Sequence, residues 1–201
     1  MYFYGDFLLN ISDENKTEAL HYLKMAADNG NESSMIRYAT ELFNSNYTTN
    51  KEEALYYFKK AADRNNTDAM LLYGQCINIF NKNKNVGNKY IKISADKGNA
   101  NALLAYGIIF FTGDGVLTDK REAAKYFKMS SEKGNNDANY FYGGILATGN
   151  GIDVDAMKAA EYFKSAADKS HLNCMKSYAI MLLDGYGIQC DHEEARKCYQ
   201  K

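Results

Sequence analysis

The residues of this chain best suited to chemistry are cysteine and histidine side chains near its carboxyl end. Cys190, His192 and Cys198 lie close together in sequence, and Cys174 precedes them. Thiolate and imidazole are ligands that zinc prefers, so this group is the set that could form a zinc site. No CxxC or HxxxH spacing accompanies it, however, and we therefore predict that the chain holds no metal.

Three glycine-rich stretches raise a second chemical possibility, the binding of phosphate. They occupy residues 113–116 (GDGV), 149–152 (GNGI) and 185–188 (GYGI). Phosphate-binding loops follow a strand or end in Gly-Lys-Ser or Gly-Lys-Thr, and the sequence has neither feature. We interpret the three stretches as turns between helices, and we predict no cofactor.

The three histidines do not form a catalytic constellation. His21, His171 and His192 have no serine or cysteine nucleophile at a matching position in the repeats described below. Nucleophilic and acid–base catalysis need such groups within hydrogen-bond reach of one another. The sequence therefore predicts a protein that is not an enzyme.

The composition of the chain limits the kinds of molecule that the protein is expected to bind. The 201 residues include 24 Lys and Arg against 25 Asp and Glu, the pI is near 6.3, and no basic run breaks this balance. Without a basic surface, we expect no binding to nucleic acid. The longest apolar stretch, residues 102–111, is about half the length of a bilayer-spanning helix, so we expect no direct membrane insertion.

The sequence gives few indications of compartment. Residues 1–15 lack a basic n-region and a small-residue cleavage site, so we expect a cytoplasmic protein. A signal upstream of the given sequence would instead indicate the ER lumen or secretion. Four cysteines are too few and too irregularly spaced for a disulfide framework, and we interpret them mostly as reduced thiols.

An internal repeat defines the elements that must position all of these residues. The phrase EALYYFKKAAD, which begins at Glu53, recurs with variations every 33 to 36 residues. Its tyrosine position is occupied by Tyr22, Tyr57, Tyr90, Tyr126, Tyr162 and finally Cys198. A second phrase alternates with it, and its tyrosines are Tyr4, Tyr38, Tyr73, Tyr106, Tyr142 and Tyr178. Each period therefore contains two elements.

Both phrases have the periodicity of a helix. In one copy, apolar residues follow the i, i+3, i+4, i+7 spacing that places side chains on one helix face: Ala54, Tyr57, Phe58 and Ala61. The chain has no proline that would interrupt such helices. Each repeat is therefore predicted to be a helix-turn-helix. The approximate bounds within one array are 1–30, 31–65, 66–98, 99–134, 135–170 and 171–201.

Polar and small residues at fixed repeat positions predict helix ends and close packing. The predicted N-caps of the second helices, each followed three residues later by glutamate, are Asn15, Asn50, Asp119 and Asp191. The predicted N-caps of the first helices are Ser33, Asp68, Asn101, Asp137 and Asn173. Glycines inside the first helices are predicted to let neighbouring helices approach closely; they are Gly74, Gly107 and Gly143.

With these motifs the chain resembles the Sel-1-like repeat family, a relative of the tetratricopeptide repeat. The best copy of the family pattern is ALLAYG from Ala102, followed by GDGV, Asp119, the residues 126–128 (YFK) and Gly134. The glycine turn is replaced by FNSNYTT after Leu42 and by FNKNKNV after Ile79, where we expect looser turns. The resemblance implies an all-α fold, a right-handed α-solenoid of about 5.5 stacked helix pairs.

The resemblance also implies a function. Such arrays act as non-catalytic scaffolds or adaptors that present a concave helical surface to peptide or protein partners. Cysteine-rich relatives tie the two helices of a repeat together by disulfides, and Cys174 with Cys198 is the one pair that could do so here. Apolar anchors favour an extended peptide or a helix as ligand.

Aligning the first helices on their tyrosines predicts the residues of this partner-binding surface. They are Ile36, Arg37, Thr40, Leu71, Gln75, Leu104, Ile108, Tyr140, Phe141, Lys176 and Ile180. Some of these apolar residues could equally belong to the core. Tyr140 and Phe141 are the predicted anchors, because large aromatic side chains commonly dominate binding energy.

The ends of the array suggest an alternative role. The first and last repeats are partial and lack polar capping repeats, so we expect a segment of a longer protein. The array would then be a regulatory or docking segment of a larger enzyme, such as a protein kinase or a ubiquitin-ligase complex.

Overall fold

The chain folds into helices and connecting turns. The structure, a computed structural model, describes residues 1–11, 15–44, 48–81 and 83–200. Within these ranges it contains twelve α-helices, one π-helical segment (Ile77–Asn81) and no strand. The α-helices are α1 (Tyr2–Ile11), α2 (Lys16–Asp28), α3 (Glu32–Phe43), α4 (Thr48–Ala62), α5 (Thr67–Cys76), α6 (Lys84–Asp96), α7 (Ala100–Thr112), α8 (Lys120–Glu132), α9 (Asn136–Thr148), α10 (Ala156–Ala167), α11 (Leu172–Asp184) and α12 (His192–Gln200). The predicted all-α fold is confirmed.

Consecutive helices pack as hairpins within two compact units. Unit 1, Met1–Lys97, contains α1 to α6, and unit 2, Gly98–Lys201, contains α7 to α12. In each unit every helix contacts the next one along the chain. First helices of neighbouring hairpins also touch, since α1 contacts α3 and α9 contacts α11. No helix of the described residues is long and apolar enough to cross a bilayer.

The two tyrosine positions of the repeat meet inside each hairpin. Five hairpins contain the same edge-to-face pair of rings, with centroids 4.7 to 5.2 Å apart. The pairs are Tyr4–Tyr22, Tyr38–Tyr57, Tyr73–Tyr90, Tyr106–Tyr126 and Tyr142–Tyr162. Edge-to-face contacts contribute beyond the area that the rings bury. The repeat in the sequence therefore corresponds to a packing contact that recurs in each of these hairpins.

The glycines of the first helices have the predicted packing role. A Cβ atom at Gly107 would lie 2.7 Å from the Phe127 ring, and one at Gly143 would lie 2.8 Å from the Phe163 ring. Any larger residue would push the second helix away from the first. The glycine-rich stretches are turns, as predicted, because α7, α9 and α11 end at left-handed residues Gly113, Gly149 and Gly185.

The predicted N-caps of the first helices are wrong by two residues. The caps lie two positions earlier, at Asn31, Asn66, Asn99, Asn135 and His171. Each side chain accepts a hydrogen bond from the backbone N–H three residues later. The residues predicted as caps are Ser33, Asp68, Asn101, Asp137 and Asn173, and all of them lie inside the first turn of their helices.

Asn101 and Asp137, which were predicted as caps, instead form contacts between neighbouring hairpins of unit 2. The Asn135 side-chain amide donates to the Oδ1 atom of Asn101 at 3.0 Å. The His171 Nε2 atom lies 2.9 Å from the Oδ1 atom of Asp137. Each of the two caps, Asn135 and His171, therefore starts its own helix and also contacts the first turn of the preceding hairpin. This contact explains why a second polar residue occurs two positions after the cap.

The second helices follow the predicted capping pattern only in part. Asp119 and Asp191 accept from the backbone N–H of Glu122 and Glu194, both at 2.9 Å, as predicted. Asn15 precedes α2 without a side-chain cap bond, and Asn50 lies inside α4, which begins at Thr48. The predicted position of the Asn15 cap is therefore correct, although its side chain makes no capping bond, whereas the Asn50 assignment is wrong.

The third hairpin departs from the others. Part of the loose turn predicted after Ile79 is helical instead, because a π-helical segment covers Ile77–Asn81 and α6 begins at Lys84. Residue 82 lies outside the described residues. The Asn78 side-chain amide donates to the buried Asn88 Oδ1 atom at 2.8 Å. Gly87 leaves room for this pair, since a Cβ there would collide with Asn78. The other predicted loose turn falls partly on residues 45–47, outside the described residues.

Candidate partner-binding groove

A groove of about 390 Å³ lies on the first-helix face of unit 2. Its walls come from three hairpins: Phe111 from α7, Tyr140 and Phe141 from α9, Phe163 from α10 and Ser177 from α11. The groove is therefore built by the repeat itself, and it includes both predicted anchors. Its lining is mainly apolar, with a few polar groups at the edges.

The floor of the groove is open because of Gly144. A Cβ atom added at Gly144 would meet no atom within 4 Å, in contrast to the tightly packed Gly143 beside it. Glycine inside a helix costs up to about 1 kcal/mol relative to alanine. No close packing contact requires a glycine at position 144. The effect of the missing side chain is the open space above the α9 backbone.

Contacts among the aromatic side chains hold the walls of the groove in place. The rings of Phe141 and Phe127 stack with centroids 5.0 Å apart, and Tyr140 lies 5.7 Å from Phe141 and 6.3 Å from Phe163. Phe127 and Phe163 are buried, whereas the Tyr140 side chain is 37% exposed. Phe141 is therefore held in place as a wall of the groove. The Tyr140 ring is partly exposed, so a ligand can contact it, and its neighbouring rings hold it in position.

The charge next to the groove is positive. Lys176 adjoins the wall residue Ser177 on α11 and is exposed, with no ion-pair partner in the part of the chain that the structure describes. The Lys120 Nζ atom lies 5.8 Å from the centroid of the Phe111 ring, at the other wall. Some lysines on second helices are instead paired, as Lys125 is with Glu122 at 2.6 Å.

The remaining predicted surface residues of unit 2 divide into two kinds. Ile180 on α11 is 51% exposed and continues the apolar surface beyond Ser177. Leu104 and Ile108 on α7 are half-buried and pack against the core cluster that contains Phe127. These two side chains therefore mainly support the wall formed by Phe111, and they present little surface to a ligand.

In unit 1 the predicted surface residues are engaged within the protein. Leu71 is buried, 7% exposed, so its assignment to the binding surface is wrong. The Arg37 guanidinium lies 3.3 Å from Asp6, and the Thr40 hydroxyl donates to the Ile36 carbonyl oxygen at 2.8 Å.

Two further predicted residues of unit 1 are half-buried. Ile36 packs against the core of the unit, and Gln75 lies in the last turn of α5. The groove around Gly144 is therefore the part of the predicted surface with a defined shape.

The cysteine and histidine cluster does not assemble into a metal centre. The described residues contain no group of three or more His, Cys, Asp or Glu residues that could hold a metal ion. Cys190 Sγ lies 3.5 Å from His192 Nε2 on the surface, whereas Cys174 is buried in the core of unit 2. No disulfide joins Cys174 to Cys198.

Several groove residues were absent from the predicted set. Phe111, Phe163, Thr148 and Asn150 line the groove, yet they lie outside the central turn of a first helix that the alignment sampled. The available signal was the aromatic Phe163, which recurs as Phe58 and Phe127 in other repeats. That position indicates core in most repeats, and Phe163 is itself mostly buried, so the sequence pattern does not indicate that it lines the groove.

Stacked helical hairpins with a repeat-built groove define a helical repeat protein. The family model for the Sel1 repeat matches residues 1–31, 33–66, 100–135, 136–171 and 173–201. The chain belongs to the Sel1 repeat family. The third hairpin, with its π-helical segment, is the one without a match. Proteins built from such repeats are generally scaffolds for protein interactions.

Solved structures agree with this assignment. A Sel1 repeat protein from Oxalobacter formigenes is 26% identical, with a TM-score of 0.81, over 91% of this chain and 77% of that one. Protein c5321, a protective antigen of uropathogenic Escherichia coli with an SLR fold, is 20% identical over 90% of this chain and 47% of that one, with a TM-score of 0.56. A putative Sel1 repeat protein of Klebsiella pneumoniae is 18% identical over 89% of both chains, also with a TM-score of 0.56. The last two show the fold alone. No functionally curated protein matches the sequence.

Proposed function

We propose that this protein is a non-catalytic scaffold that binds a peptide or a helix of a protein partner in the groove around Gly144. The observation that carries the proposal is the open, aromatic-walled groove of about 390 Å³ on the first-helix face of unit 2. Apolar grooves of this kind accept amphipathic helices or extended segments through a few anchoring side chains.

The physical properties of the groove suit such a ligand. Its walls are fixed by stacked rings, so little conformational entropy is lost at the groove when a partner binds. Tyr140 and Ile180 present apolar surface to solvent, which a partner would remove from water. Lys176 lies at the edge, where a charge adds specificity and speeds association.

Site-specific photo-crosslinking tests the proposal. A benzophenone amino acid at position 176, beside the groove, should capture a discrete protein partner from an extract of the source organism. The same amino acid at Met157, an exposed position on α10 outside the groove lining, is the matched control and should not capture that partner.

Two further variants locate the contact. Tyr140→Ser, or Gly144→Trp to fill the floor, should abolish crosslinking from position 176 while circular dichroism remains unchanged. If the same partners are captured equally from positions 176 and 157, or if both variants leave capture intact, the groove is not the binding surface.

A further inference from the structure

An exposed apolar stripe, the α11 stripe, runs along α11 beside the groove around Gly144. Its side chains are Leu172, which is 65% exposed, Ile180, and Leu183, which is 40% exposed. They follow one another at intervals of eight and three residues, so they share one face of the helix. Exposed apolar patches of this kind mark surfaces that partners cover. The α11 stripe is therefore available to a partner of the groove.

The shape of this surface matches a straight rod. From Leu172 to Leu183 the helix advances about 16 Å, or about three turns, at about 1.5 Å per residue. Ser177, on the same helix, is one of the lining residues of the groove, so the groove adjoins the α11 stripe at its side. A straight partner segment that lies along α11 would therefore contact the stripe and the groove together.

The surface offers too few polar groups to pair the backbone of an extended peptide. Such a peptide brings N–H and C=O groups that need partners when they leave water. The Thr148 hydroxyl already donates to the Gly144 carbonyl oxygen at 2.8 Å. The other polar side chains among the lining residues are Tyr140, Asn150 and Ser177, and the α11 stripe has none. A helix pairs its own backbone groups, so it leaves none unpaired on this surface.

The size of the groove suits anchoring side chains rather than a length of backbone. Its volume is about 390 Å³. A benzene-sized group fits a cavity of about 150 Å³, so the space above Gly144 has room for about two ring-sized side chains. Side chains three or four residues apart on a helix point in the same direction. Two large apolar residues of one helix would therefore fill the groove together.

Two exposed charges on α11 can fix the direction of such a helix. Lys176 lies between Leu172 and Ile180 at helical spacing, on the face of the α11 stripe. Asp184 is the last residue of α11, about 12 Å further along the axis. Neither side chain forms an ion pair with any residue that the structure describes. A partner helix with an acidic residue near Lys176 and a basic one near Asp184 complements both, whereas the reversed helix places like charges together.

We propose that the partner segment in this groove is an amphipathic helix that lies along the α11 stripe. It places large apolar side chains above Gly144, covers the exposed leucine and isoleucine side chains of the stripe, and carries an acidic residue beside Lys176. This inference rests on the proposed function, because it names the kind of segment that the same groove binds. An extended segment is the alternative occupant that the experiment must separate from it.

Selection from two peptide libraries separates a helical ligand from an extended one. Both libraries display linear peptides of equal length with the same randomised positions. In one library the fixed positions are alanine, which favours a helix, and in the other the central fixed position is proline, which prevents one. Both are selected on the full chain, and the binders are then measured against the double variant Tyr140→Ser/Ile180→Ser. Met157→Ser, at an exposed position on α10 outside the groove lining, is the matched control.

The alanine library should give the tighter binders. They should lose about tenfold or more in affinity for the double variant and keep their affinity for Met157→Ser. Tighter binders from the proline library that also depend on Tyr140 and Ile180 would overturn the helical ligand and leave the proposed function standing. If neither library gives a binder that depends on these two residues, both the helical ligand and the proposed groove are wrong.

Charge reversal at an exposed position tests the orientation without touching the core. Binders from the alanine library should lose affinity severalfold for Lys176→Glu, and the loss should be greater at low salt. A new selection on Lys176→Glu should replace the acidic residue of the binders by lysine or arginine. Lys169→Glu, at an exposed lysine outside the groove lining, should change neither result. Unchanged affinity for Lys176→Glu would overturn the contact between the partner helix and Lys176.

Discussion

At the scale of single residues, the four thiols occupy two very different environments. Cys76 and Cys174 are buried in the cores of units 1 and 2, and burial raises the pKa of each thiol to about 12. Cys190 is exposed, and Cys198 is partly exposed. Because the thiolate is the reactive form, burial and the raised pKa both protect the first pair.

Thiol labelling at mildly alkaline pH tests this difference. Cys190 and Cys198 should react with a disulfide reagent in the folded protein, whereas Cys76 and Cys174 should react only after denaturation. The measurement is mass spectrometry of labelled peptides over time. Fast labelling of Cys174 in the native protein would show that the α11 core opens readily.

The sequence places Tyr140 and Phe141 on the first-helix face, and both side chains line the groove. Their role as binding anchors stays a prediction. Leu71 occupies the repeat position of Tyr140 but is buried. Alignment on the tyrosines does not separate a core residue from a surface residue at that position.

At the scale of the hairpin, glycine positions set how closely two helices pack. A Cβ atom at Gly107 would lie 2.7 Å from the Phe127 ring, whereas one at Gly144 would meet no atom within 4 Å. The two glycines occupy neighbouring repeat positions on first helices of unit 2, so they form a matched pair for substitution. Adding a side chain should therefore have opposite effects on stability at the two sites.

We expect Gly107→Leu to destabilise the protein by about 1–3 kcal/mol, because the larger side chain must displace the Phe127 ring. Gly144→Ala should instead stabilise it by about 0.5–1 kcal/mol, through the higher helix propensity of alanine in open space. Urea denaturation of both variants checks the prediction. A Gly107→Leu midpoint equal to that of the unmodified protein would contradict the packing assignment.

Helix ends show why element boundaries are harder to predict than elements. Two polar residues occur near the start of each first helix, as in Asn135 and Asp137, and sequence alone does not separate the cap from the residue two positions later. The structure separates them: Asn135 accepts from the Ala138 N–H, and Asp137 contacts His171 of the next hairpin. A contact between hairpins is not encoded in the local pattern.

At the scale of the whole molecule, buried tyrosines recur through both units. Burial is the main cause that raises the pKa of Tyr38, Tyr57, Tyr73, Tyr142, Tyr162 and Tyr178 above the ordinary value for tyrosine. The Tyr57 hydroxyl also donates to the Asp28 carboxylate at 2.6 Å, which opposes ionisation of the phenol further. The folded state therefore binds these phenolic protons more tightly than the unfolded state does.

The sign of the resulting pH dependence follows from this shift. Stability from a raised pKa is fully present below the unfolded value of about 10 and is lost as the pH rises through the folded value. We expect the urea midpoint to fall steeply above about pH 10, together with the appearance of tyrosinate absorbance. Tyr57→Phe should flatten this fall, and a midpoint independent of pH in that range would contradict it.

The double role of the first-helix caps has a consequence for folding cooperativity. In unit 2, Asn135 and His171 each complete their own helix start and hold the first turn of the preceding hairpin. Fraying of one such helix therefore breaks a bond in its neighbour at the same moment, which raises the nearest-neighbour coupling in a one-dimensional array. Hydrogen exchange at α7, α9 and α11 should accordingly proceed as one cooperative event, and partial melting of a single hairpin costs more than its own contacts.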